Sequence, residues 1–199
     1  MRCRQTGAIR HAIRGRTWRA HSLLPQSAGV RPRRQNAVAL PACEQNMALP
    51  VTVRELKPTD YEAWSPLWNS YNAFYGREGP TALDPEITKT TWSRFFNPEE
   101  PVFALVAESE GKVLGLTHYL YHRSTTRLEL TCYLQDLFTS PEARGQGVAR
   151  ALIGAVYVAA ERAGIKRVYW QTHETNKLGR ALYDKVAKHY GFIVYAHDV

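Results

Sequence analysis

The segment from Leu128 to Ala160 constrains the fold of this 199-residue chain more than any other part. A strand-like run, Leu128 to Thr139, is followed by a turn that contains Gly145 and Gly147. Beyond the turn, apolar residues recur at helical spacing: Val148, Leu152, Val156 and Ala160. A helix that starts here leaves its first amide groups unpaired, and glycines let the backbone approach a bulky anion. The segment therefore predicts an anion-binding site, and a turn with a purely structural role is the alternative.

The residues before this segment predict a strand and two helices. Residues 51–56 alternate in polarity as a first strand does. Aromatic residues recur every three or four positions between residues 61 and 75, which predicts a helix that Pro66 kinks or restarts. A second helix begins at Asp84-Pro85-Glu86, because an acid, a proline and another acid are typical of a helix N-terminus.

A run of strands and a final alternation of strands and helices complete the pattern. Residues 102–107 and 113–121 flank a turn at residues 110–112, so together with the run at 128–139 they predict an antiparallel meander. The remaining predicted elements are a strand at 168–172, a helix at 177–189 and a last strand at 191–196. This order indicates a single α/β (α+β) domain with a mixed, twisted sheet, and it excludes a barrel.

The net charge of +8 is placed unevenly and does not describe the domain. Residues 1–46, the leader, hold nine arginines and one acid, whereas residues 47–199 hold 17 basic and 17 acidic residues. Of the 22 aromatic residues only Trp18 lies in the leader, so we expect the leader to be disordered. It is interpreted as part of an over-extended reading frame that really starts at Met47, as a transit peptide, or as a basic tail. No nucleic-acid partner is expected for the domain of residues 47–199.

Composition also limits the compartment and the kind of site. Cys3 and Cys43 lie in the leader and Cys132 stands alone in an apolar run, so no disulfide framework or metal-binding cysteine pair is expected. A cytoplasmic location is the default, with organellar import by the leader left open. His118 and His122 share a strand face without a third ligand, which makes a metal site unexpected. No apolar run approaches the ~18 residues of a membrane helix, so no membrane partner is expected.

Three segments together carry a resemblance to a known family. The glycine turn lacks the Gly-Lys-Ser/Thr of a Walker loop and the G-x-G-x-x-G of a dinucleotide site. It resembles the Q/R-x-x-G-x-G/A signature of the GNAT N-acetyltransferases, which is filled here by Arg144, Gly147 and Ala149. Two other segments are similar to family segments in the same order: Tyr133–Phe138 to the fourth strand, and Asn176, Ala181–Lys185 and Gly191-Phe192 to N-x-x-A-x-x-L-Y-x-K-x-G-F. The resemblance covers roughly residues 50–197 and is nearest in pattern to fungal histone/amino-acid-type and spermidine/spermine-type acetyltransferases.

The resemblance implies a GNAT-type domain with splayed central strands, flanking helices and acetyl-CoA as co-substrate, without a metal. Asn176 would hold the pantetheine arm of that co-substrate or order the cleft. The residues whose backbone would pair with the pantetheine are Leu137, Phe138 and Thr139. The residues that would wrap the pyrophosphate are Arg144, Gly145, Gln146, Gly147, Val148 and Ala149.

The resemblance also implies that an amine attacks the thioester directly, so Cys132 is interpreted as a core residue. Tyr183 would protonate the leaving thiolate as a general acid. The attacking amine must lose a proton, but Gln135 stands where polyamine-type enzymes often have Glu, and an amide cannot accept that proton. The candidates for the base are Asp136, Glu129 or a water held by the backbone, and Asp136 is equally interpreted as a structural acid that pairs with a buried donor.

The acceptor is expected to be a small amine, polyamine, amino acid or protein lysine. Tyr71, Tyr75 and Glu78 are candidates for contact with it, because in this family the first two helices and their loop form the acceptor wall. A homodimer is also expected from the resemblance. The alternative function is an acyl-CoA-binding regulatory module with little or no activity, which Gln135 keeps open.

Overall fold

A five-stranded sheet forms the centre of residues 50–199, the part of the chain that this computed structural model describes. The strands are β1 (Thr52–Glu55), β2 (Val102–Ser109), β3 (Lys112–His122), β4 (Thr131–Thr139) and β5 (Val168–Tyr169). The helices are α1 (Tyr61–Phe74), α2 (Pro85–Arg94), α3 (Val148–Arg162) and α4 (Lys177–Val186). The strands lie side by side in chain order, the first four antiparallel and β5 parallel to β4. The predicted mixed α/β class and the antiparallel meander are confirmed.

Local sequence signals account for several of these boundaries. Asp84 caps α2, because its carboxylate accepts a hydrogen bond of 2.8 Å from the amide of Glu86. Glu110 and Gly111, with φ of 50° and 78°, form the tight turn between β2 and β3. Left-handed residues at both positions match the twist of the flanking strands. The predicted leader, residues 1–46, lies outside the described residues.

Several predicted features differ in the structure. Of the kink and the restart predicted as alternatives at Pro66, the restart is wrong, since α1 runs through this residue without a break. A proline forfeits one backbone hydrogen bond, and the buried face of α1 outweighs that loss because it carries Trp64, Leu67, Trp68 and Tyr71. Three elements are shorter than predicted, since β4 begins at Thr131, β5 ends at Tyr169 and α4 ends at Val186. Strands β2 and β3 are slightly longer than predicted.

The predicted last strand at residues 191–196 is also wrong. Residues 187–199 form neither helix nor strand, and Phe192 and Tyr195 are 82% and 88% exposed. Their alternation has β-type character, but such a segment becomes a strand only where a neighbour pairs with it. No strand in the described part of the chain pairs with these residues.

The sheet is covered on both faces, and each face has its own core. One core packs α3 against the sheet and is largely aliphatic, with Leu152, Ile153 and Val156 at its centre. The other packs α1 against the sheet and is largely aromatic, with Trp64 and Trp68 at its centre. In residues 50–199 no helix is long and apolar enough to cross a bilayer.

Gly115 on β3 lets the start of α3 approach the sheet closely. A Cβ atom added there would lie 2.7 Å from the carbonyl oxygen of Phe138 and 2.9 Å from Val148 Cγ1. Any larger residue would push the first turn of α3 away from the end of β4. The glycine therefore fixes the position of the segment in which the sequence predicts an anion site.

Candidate active site

A cleft opens where β4 and β5 stop pairing. Their ladder contains two residue pairs, Cys132 with Val168 and Tyr133 with Tyr169, so in the described chain residues 134–139 of β4 have a strand partner only on the β3 side. A cavity of about 480 Å³ occupies the position beyond that ladder. Its walls are the end of β4, the glycine turn, the first turn of α3, α4 and the end of α1. The predicted site residues that line it are Tyr71, Tyr75, Leu137, Phe138, Thr139, Arg144, Gly145, Gly147, Val148, Ala149, Asn176 and Tyr183.

The glycine turn has the geometry of an anion site. Gly145 and Gly147 adopt φ of 78° and 87°, values at which a side chain would be strained, and Gly147 is the residue before α3. The first hydrogen bond of that helix runs from the amide of Ala151 to the carbonyl of Gly147. The amides of residues 148–150 therefore point out of the helix end toward the cavity, where the helix dipole is positive. Arg144 and Arg150 both line the same wall.

Gln146 shapes the glycine turn through its side chain. Its side-chain amide donates a 3.0 Å hydrogen bond to the carbonyl of Glu142, which closes the turn, and the residue does not line the cavity. The resemblance implies that Gln146 belongs to the segment that wraps the pyrophosphate, and that role stays a prediction.

Asn176 orders the cleft by capping α4. Its Oδ1 accepts from the amide of Gly179 at 3.0 Å, and its Nδ2 donates to Thr172 Oγ1 at 2.9 Å. Both ends of the side-chain amide are thus engaged with protein groups, which favours the ordering role over direct contact with a ligand. Gly179 is required beside it, because an added Cβ would lie 2.5 Å from Asn176 Nδ2.

Tyr183 reaches the cavity from α4 and keeps its proton. Its ring packs edge-on against Trp170, with centroids 5.4 Å apart, and its pKa is raised to about 12, first by burial and then by Tyr75. A tyrosine with this pKa is neutral at physiological pH, so it can donate a proton within the cavity.

Asp136 owes its position to a β-bulge. In the β3–β4 ladder His118 pairs with Asp136 and Tyr119 pairs with Leu134, so Gln135 is an extra residue on β4. Leu134 packs in the α3 core, whereas the Asp136 carboxylate lies on the α1 side, 2.9 Å from His118 Nδ1. Without the bulge, residues two apart would share a face. The hypothesis that Asp136 pairs with a buried group is confirmed, and the partner is His118.

Two of the remaining predicted residues, Glu129 and Glu78, do not line this cavity. Glu129 precedes β4, which begins at Thr131, so its predicted place on that strand is wrong, and it does not line the cavity. Glu78 lines a second cavity of about 480 Å³ on the outer side of α1, together with Arg77. Tyr71 and Tyr75 line the main cavity, and their rings lie 5.2 Å apart at the end of α1.

Comparison with known proteins identifies the family. A model described as Acetyltransferase (GNAT) family matches residues 64–188. The chain belongs to the GNAT acetyltransferase family. It is 37% identical over 139 residues to the D-amino-acid N-acetyltransferase HPA3 of Saccharomyces cerevisiae, an alignment that covers 69% of this chain and 84% of the yeast protein. It is 29% identical over 151 residues to the uncharacterized N-acetyltransferase YhfO of Bacillus subtilis, with 75% of this chain and 98% of that protein covered.

A solved structure agrees with this assignment at the level of the fold. The structure of AAC(6')-Iy in complex with the bisubstrate analog CoA-S-monomethyl-acetylneamine has a TM-score of 0.63 and 16% identity, with 75% of this chain and 98% of that chain covered. The GNAT resemblance seen in the sequence is confirmed. This GNAT protein is an acetyl-CoA-dependent N-acetyltransferase.

The cleft of this GNAT enzyme fits acetyl-CoA on three observations. The outer edge of β4 from residue 134 to 139 is free of a strand partner in the described chain, so an extended amide-bearing arm can pair with it. The free amides at the start of α3 and the two arginines suit a pyrophosphate. The buried Thr139 Oγ1 has no hydrogen-bond partner in residues 50–199, and it lies in the wall of the same cavity.

Several lining residues of this GNAT cleft were missed in the sequence. Arg150, Leu178 and Lys185 line the cavity because they sit on the exposed sides of α3 and α4. Arg150 was detectable in principle, since a helix that starts at Val148 turns its third residue back toward the preceding loop. His118 was not detectable, because its pairing with Asp136 depends on a bulge that only the cross-strand register reveals.

Cys132 lies in the core and does not line the cleft. Cys132 is fully buried in the α3 core and burial raises its pKa to about 12, so the interpretation as a core residue is confirmed. Within residues 50–199 no group of three His, Cys, Asp or Glu side chains is placed to hold a metal ion.

Proposed function

We propose that this GNAT enzyme acetylates the primary amine of a small acceptor that also carries a carboxylate, such as an amino acid. The observation that carries the acceptor class is Arg77, which lies just beyond the end of α1, packs beside Tyr71 and Tyr75 of the cleft, and lines the second cavity. The relative named as a D-amino-acid N-acetyltransferase supports the same acceptor class. The acetyl donor is acetyl-CoA, as for the family.

Arg77 is fixed in place but has free donors. Its Nε donates to Asn72 Oδ1 at 2.8 Å, and its guanidinium carbon lies 5.8 Å and 5.4 Å from the ring centroids of Tyr71 and Tyr75. Its two terminal nitrogens donate to no group in residues 50–199, and no carboxylate of that part forms an ion pair with it. A half-buried guanidinium with an open fork is suited to bind a carboxylate with two hydrogen bonds.

The residues of the cleft divide the chemistry between them. Acetyl-CoA, when bound, supplies the activated acyl carbon. The backbone of Leu137–Thr139 orients the acyl arm, and the first turn of α3 with Arg144 binds the pyrophosphate. Tyr183 holds the proton that the leaving sulfur needs, and its raised pKa keeps that proton in place at neutral pH.

Gln135 gives no reason to prefer an inactive acyl-CoA-binding module. It is the exposed extra residue of the bulge, and the acidic residue of this part of β4 is Asp136 next to it. The loss of a carboxylate at position 135 therefore leaves another carboxylate on the side of the sheet where α1 lies.

The acceptor class is tested by measuring free CoA released with matched amines. The panel contains D- and L-amino acids, their carboxamides, spermidine and a lysine peptide. We expect kcat/KM for an amino acid to exceed that for its carboxamide by about tenfold or more, since a charge-assisted pair contributes ~1.5–3 kcal/mol. Equal use of the amino acid and its carboxamide would contradict the carboxylate proposal, and no release with any amine would contradict catalysis on amines.

Arg77→Gln sharpens this test. We expect the KM for the amino acid to rise by about tenfold and the KM for its carboxamide and for acetyl-CoA to change by less than about twofold. Arg162→Gln is the matched control, because Arg162 lies at the end of α3 away from the cleft. A rise of the same size for the carboxamide would show that Arg77 supports the fold of α1 and not the acceptor.

The expectation of a homodimer also stays a proposal. It is supported by the exposed apolar residues of the C-terminal segment beyond α4, which have no strand partner within residues 50–199: Phe192, Ile193, Val194 and Tyr195. Light scattering of the full chain tests it, with Phe192→Ser/Val194→Ser as the variant expected to be monomeric. A monomeric wild-type protein at micromolar concentration would contradict it.

A further inference from the structure

A chain of buried polar side chains crosses the aromatic core behind the cleft. The indole Nε1 of Trp64 donates to His118 Nε2 at 2.9 Å, and His118 Nδ1 lies 2.9 Å from Asp136 Oδ2. The three residues are 0%, 3% and 7% exposed, so water does not reach them freely. The chain joins helix α1 to strands β3 and β4.

The hydrogen-bond partners determine where the histidine proton lies. An indole N–H can only donate, so His118 Nε2 must present its lone pair to Trp64. The proton of the neutral ring is then on Nδ1 and points at the carboxylate of Asp136. A second proton on Nε2 would point at the indole N–H, so it is incompatible with the Trp64 hydrogen bond.

Asp136 meets the cavity through a tyrosine. The titratable groups around it are His118 from β3, Tyr71 and Tyr75 from α1, and Tyr133 on its own strand. In residues 50–199 no lysine or arginine forms an ion pair with it. Asp136 itself does not line the cavity, whereas Tyr71 does. The Tyr71 ring lies 6.5 Å from the ring of Phe138, which packs in the aromatic core two residues along β4 from Asp136. Besides burial, the Asp136 carboxylate is one of the influences that raise the pKa of Tyr71.

The carboxylate of Asp136 affects the pKa of the Tyr71 hydroxyl. Burial raises the pKa of Tyr71 first, and the carboxylate of Asp136 raises it further. Tyr71 therefore keeps its own proton unless it passes that proton directly to Asp136. This is the behaviour of a relay and not of a tyrosinate base.

This inference rests on the acceptor chemistry proposed above. We propose that Tyr71 and Asp136 together remove the proton of the acceptor ammonium. His118 and Trp64 are then positioning residues for Asp136. The N–H bond of the ammonium breaks and its electron pair stays on nitrogen, which becomes the nucleophile. The proton goes to Tyr71 Oη while the Tyr71 hydroxyl proton passes to Asp136 Oδ1 or Oδ2. After the product leaves, the same path in reverse returns the proton to solvent. His118 holds the carboxylate by donating from Nδ1.

The kinetic test compares Asp136→Asn, Tyr71→Phe and their double variant. Each single change should lower kcat by about 10³-fold with little change in the KM for acetyl-CoA, because acid–base steps contribute 10²- to 10⁴-fold. The double variant should be no slower than either single one, since the two groups act in one path. Additive losses, or an Asp136→Asn enzyme that keeps the wild-type rate, would overturn the relay.

The positioning role is tested with two tryptophans of the same helix. Trp64→Phe removes the N–H that His118 accepts, and Trp68→Phe is the matched control, because the Trp68 indole donates to Thr88 at 3.2 Å instead. Trp64→Phe should lower kcat by about tenfold, because the His118 ring that positions Asp136 loses one of its two hydrogen bonds. Trp68→Phe should stay within about twofold of wild type at every pH. Equal losses in the two variants would overturn the positioning role.

A spectroscopic measurement keeps the inference separate from the proposed activity. Side-chain ¹⁵N–¹H NMR of the full-length wild-type protein should show His118 as the neutral Nδ1–H tautomer at neutral pH. An Nε2–H tautomer or a doubly protonated ring would overturn the positioning of Asp136 even in an active enzyme. Absence of turnover with every amine, with the Nδ1–H tautomer present, would instead overturn the proposed acceptor chemistry and the relay while leaving the hydrogen-bond chain in place.

Discussion

The two faces of the sheet are packed with different side chains. The α3 face mainly stabilises the fold, whereas the α1 face holds the buried polar pair of His118 and Asp136. The face under α3 is packed mainly with aliphatic residues such as Leu152, Ile153 and Val156. The face under α1 is packed with aromatic residues around His118 and Asp136. An aliphatic core offers no donor to a buried polar group, whereas an indole supplies one N–H. The face that holds a buried carboxylate is therefore the one rich in tryptophan.

Ile153→Ala should have the largest effect, and on stability alone. Ile153 is 1% exposed in the α3 core, so the change leaves a cavity and lowers the free energy of unfolding by about 3 kcal/mol. Urea unfolding of the wild type and the variant measures this loss. The activity per folded molecule should change by less than about twofold, because the face acts as support. A tenfold lower rate per folded molecule would show that this face is not only a scaffold.

Tyr183→Phe tests the proposed proton donor, which packs at the edge of the α3 core. Loss of the hydroxyl should lower kcat by about 10²-fold, which corresponds to ~2.7 kcal/mol in the activation free energy. The stability at neutral pH should change little, since Tyr183 packs mainly through its ring against Trp170. A rate equal to that of the wild type would mean that Tyr183 is not the proton donor.

The same residue predicts a pH dependence of stability. Burial raises the pKa of Tyr183 from 10.0 to about 12 in the folded state. The folded protein therefore holds the phenol proton more tightly, so this contribution to stability is complete below about pH 10 and is lost as the pH rises toward 12. Tyr183→Phe should lack this part of the alkaline loss, which unfolding curves at several alkaline pH values measure.

The sequence predicts features that nearby residues determine, and it does not predict the polar contacts of the α1 face, which depend on distant residues. The cap at Asp84, the turn at Gly111 and the glycine turn that ends at Gly147 depend on neighbours within a few residues, and the sequence predicts each of them. The bulge at Gln135 and the pairing of His118 with Asp136 depend on the register between two strands. Residues 18 positions apart leave no local signal of such a contact.

Errors in the prediction have the same origin. The aromatic spacing of α1 was visible in the sequence, but the effect of Pro66 depended on how much packing energy that face gains in the folded protein. The alternation in residues 191–196 was also visible, but no strand in the described chain pairs with it. Local propensity specifies what a segment can form, and the neighbouring elements decide whether it forms.

Asp60→Asn should have the smallest of the expected effects, a change in the free energy of unfolding. Asp60 is a partly exposed carboxylate, in contrast to the buried Asp136. Asp60 accepts from Arg54 Nη1 at 2.7 Å and Nη2 at 3.1 Å, and from the amide of Lys57 at 2.7 Å. The Arg54 hydrogen bond is the main reason that the pKa of Asp60 lies below 3.8, opposed by partial burial. We expect Asp60→Asn to lower the free energy of unfolding by about 1 kcal/mol at pH 7.

The sign of the pH dependence follows from that lowered pKa. The charged form of Asp60 is favoured in the folded state, so its stabilisation is complete above about pH 4 and is lost as the pH falls through the folded-state pKa. The difference between the wild type and Asp60→Asn in urea unfolding should therefore shrink as the pH falls below about 4. Glu86→Gln is the matched control, because Glu86 pairs with Lys89 at 3.5 Å with both side chains well exposed, and such pairs contribute little. If the Asp60 difference persists in acid, the group stabilises the start of α1 through hydrogen-bond geometry and not through its charge.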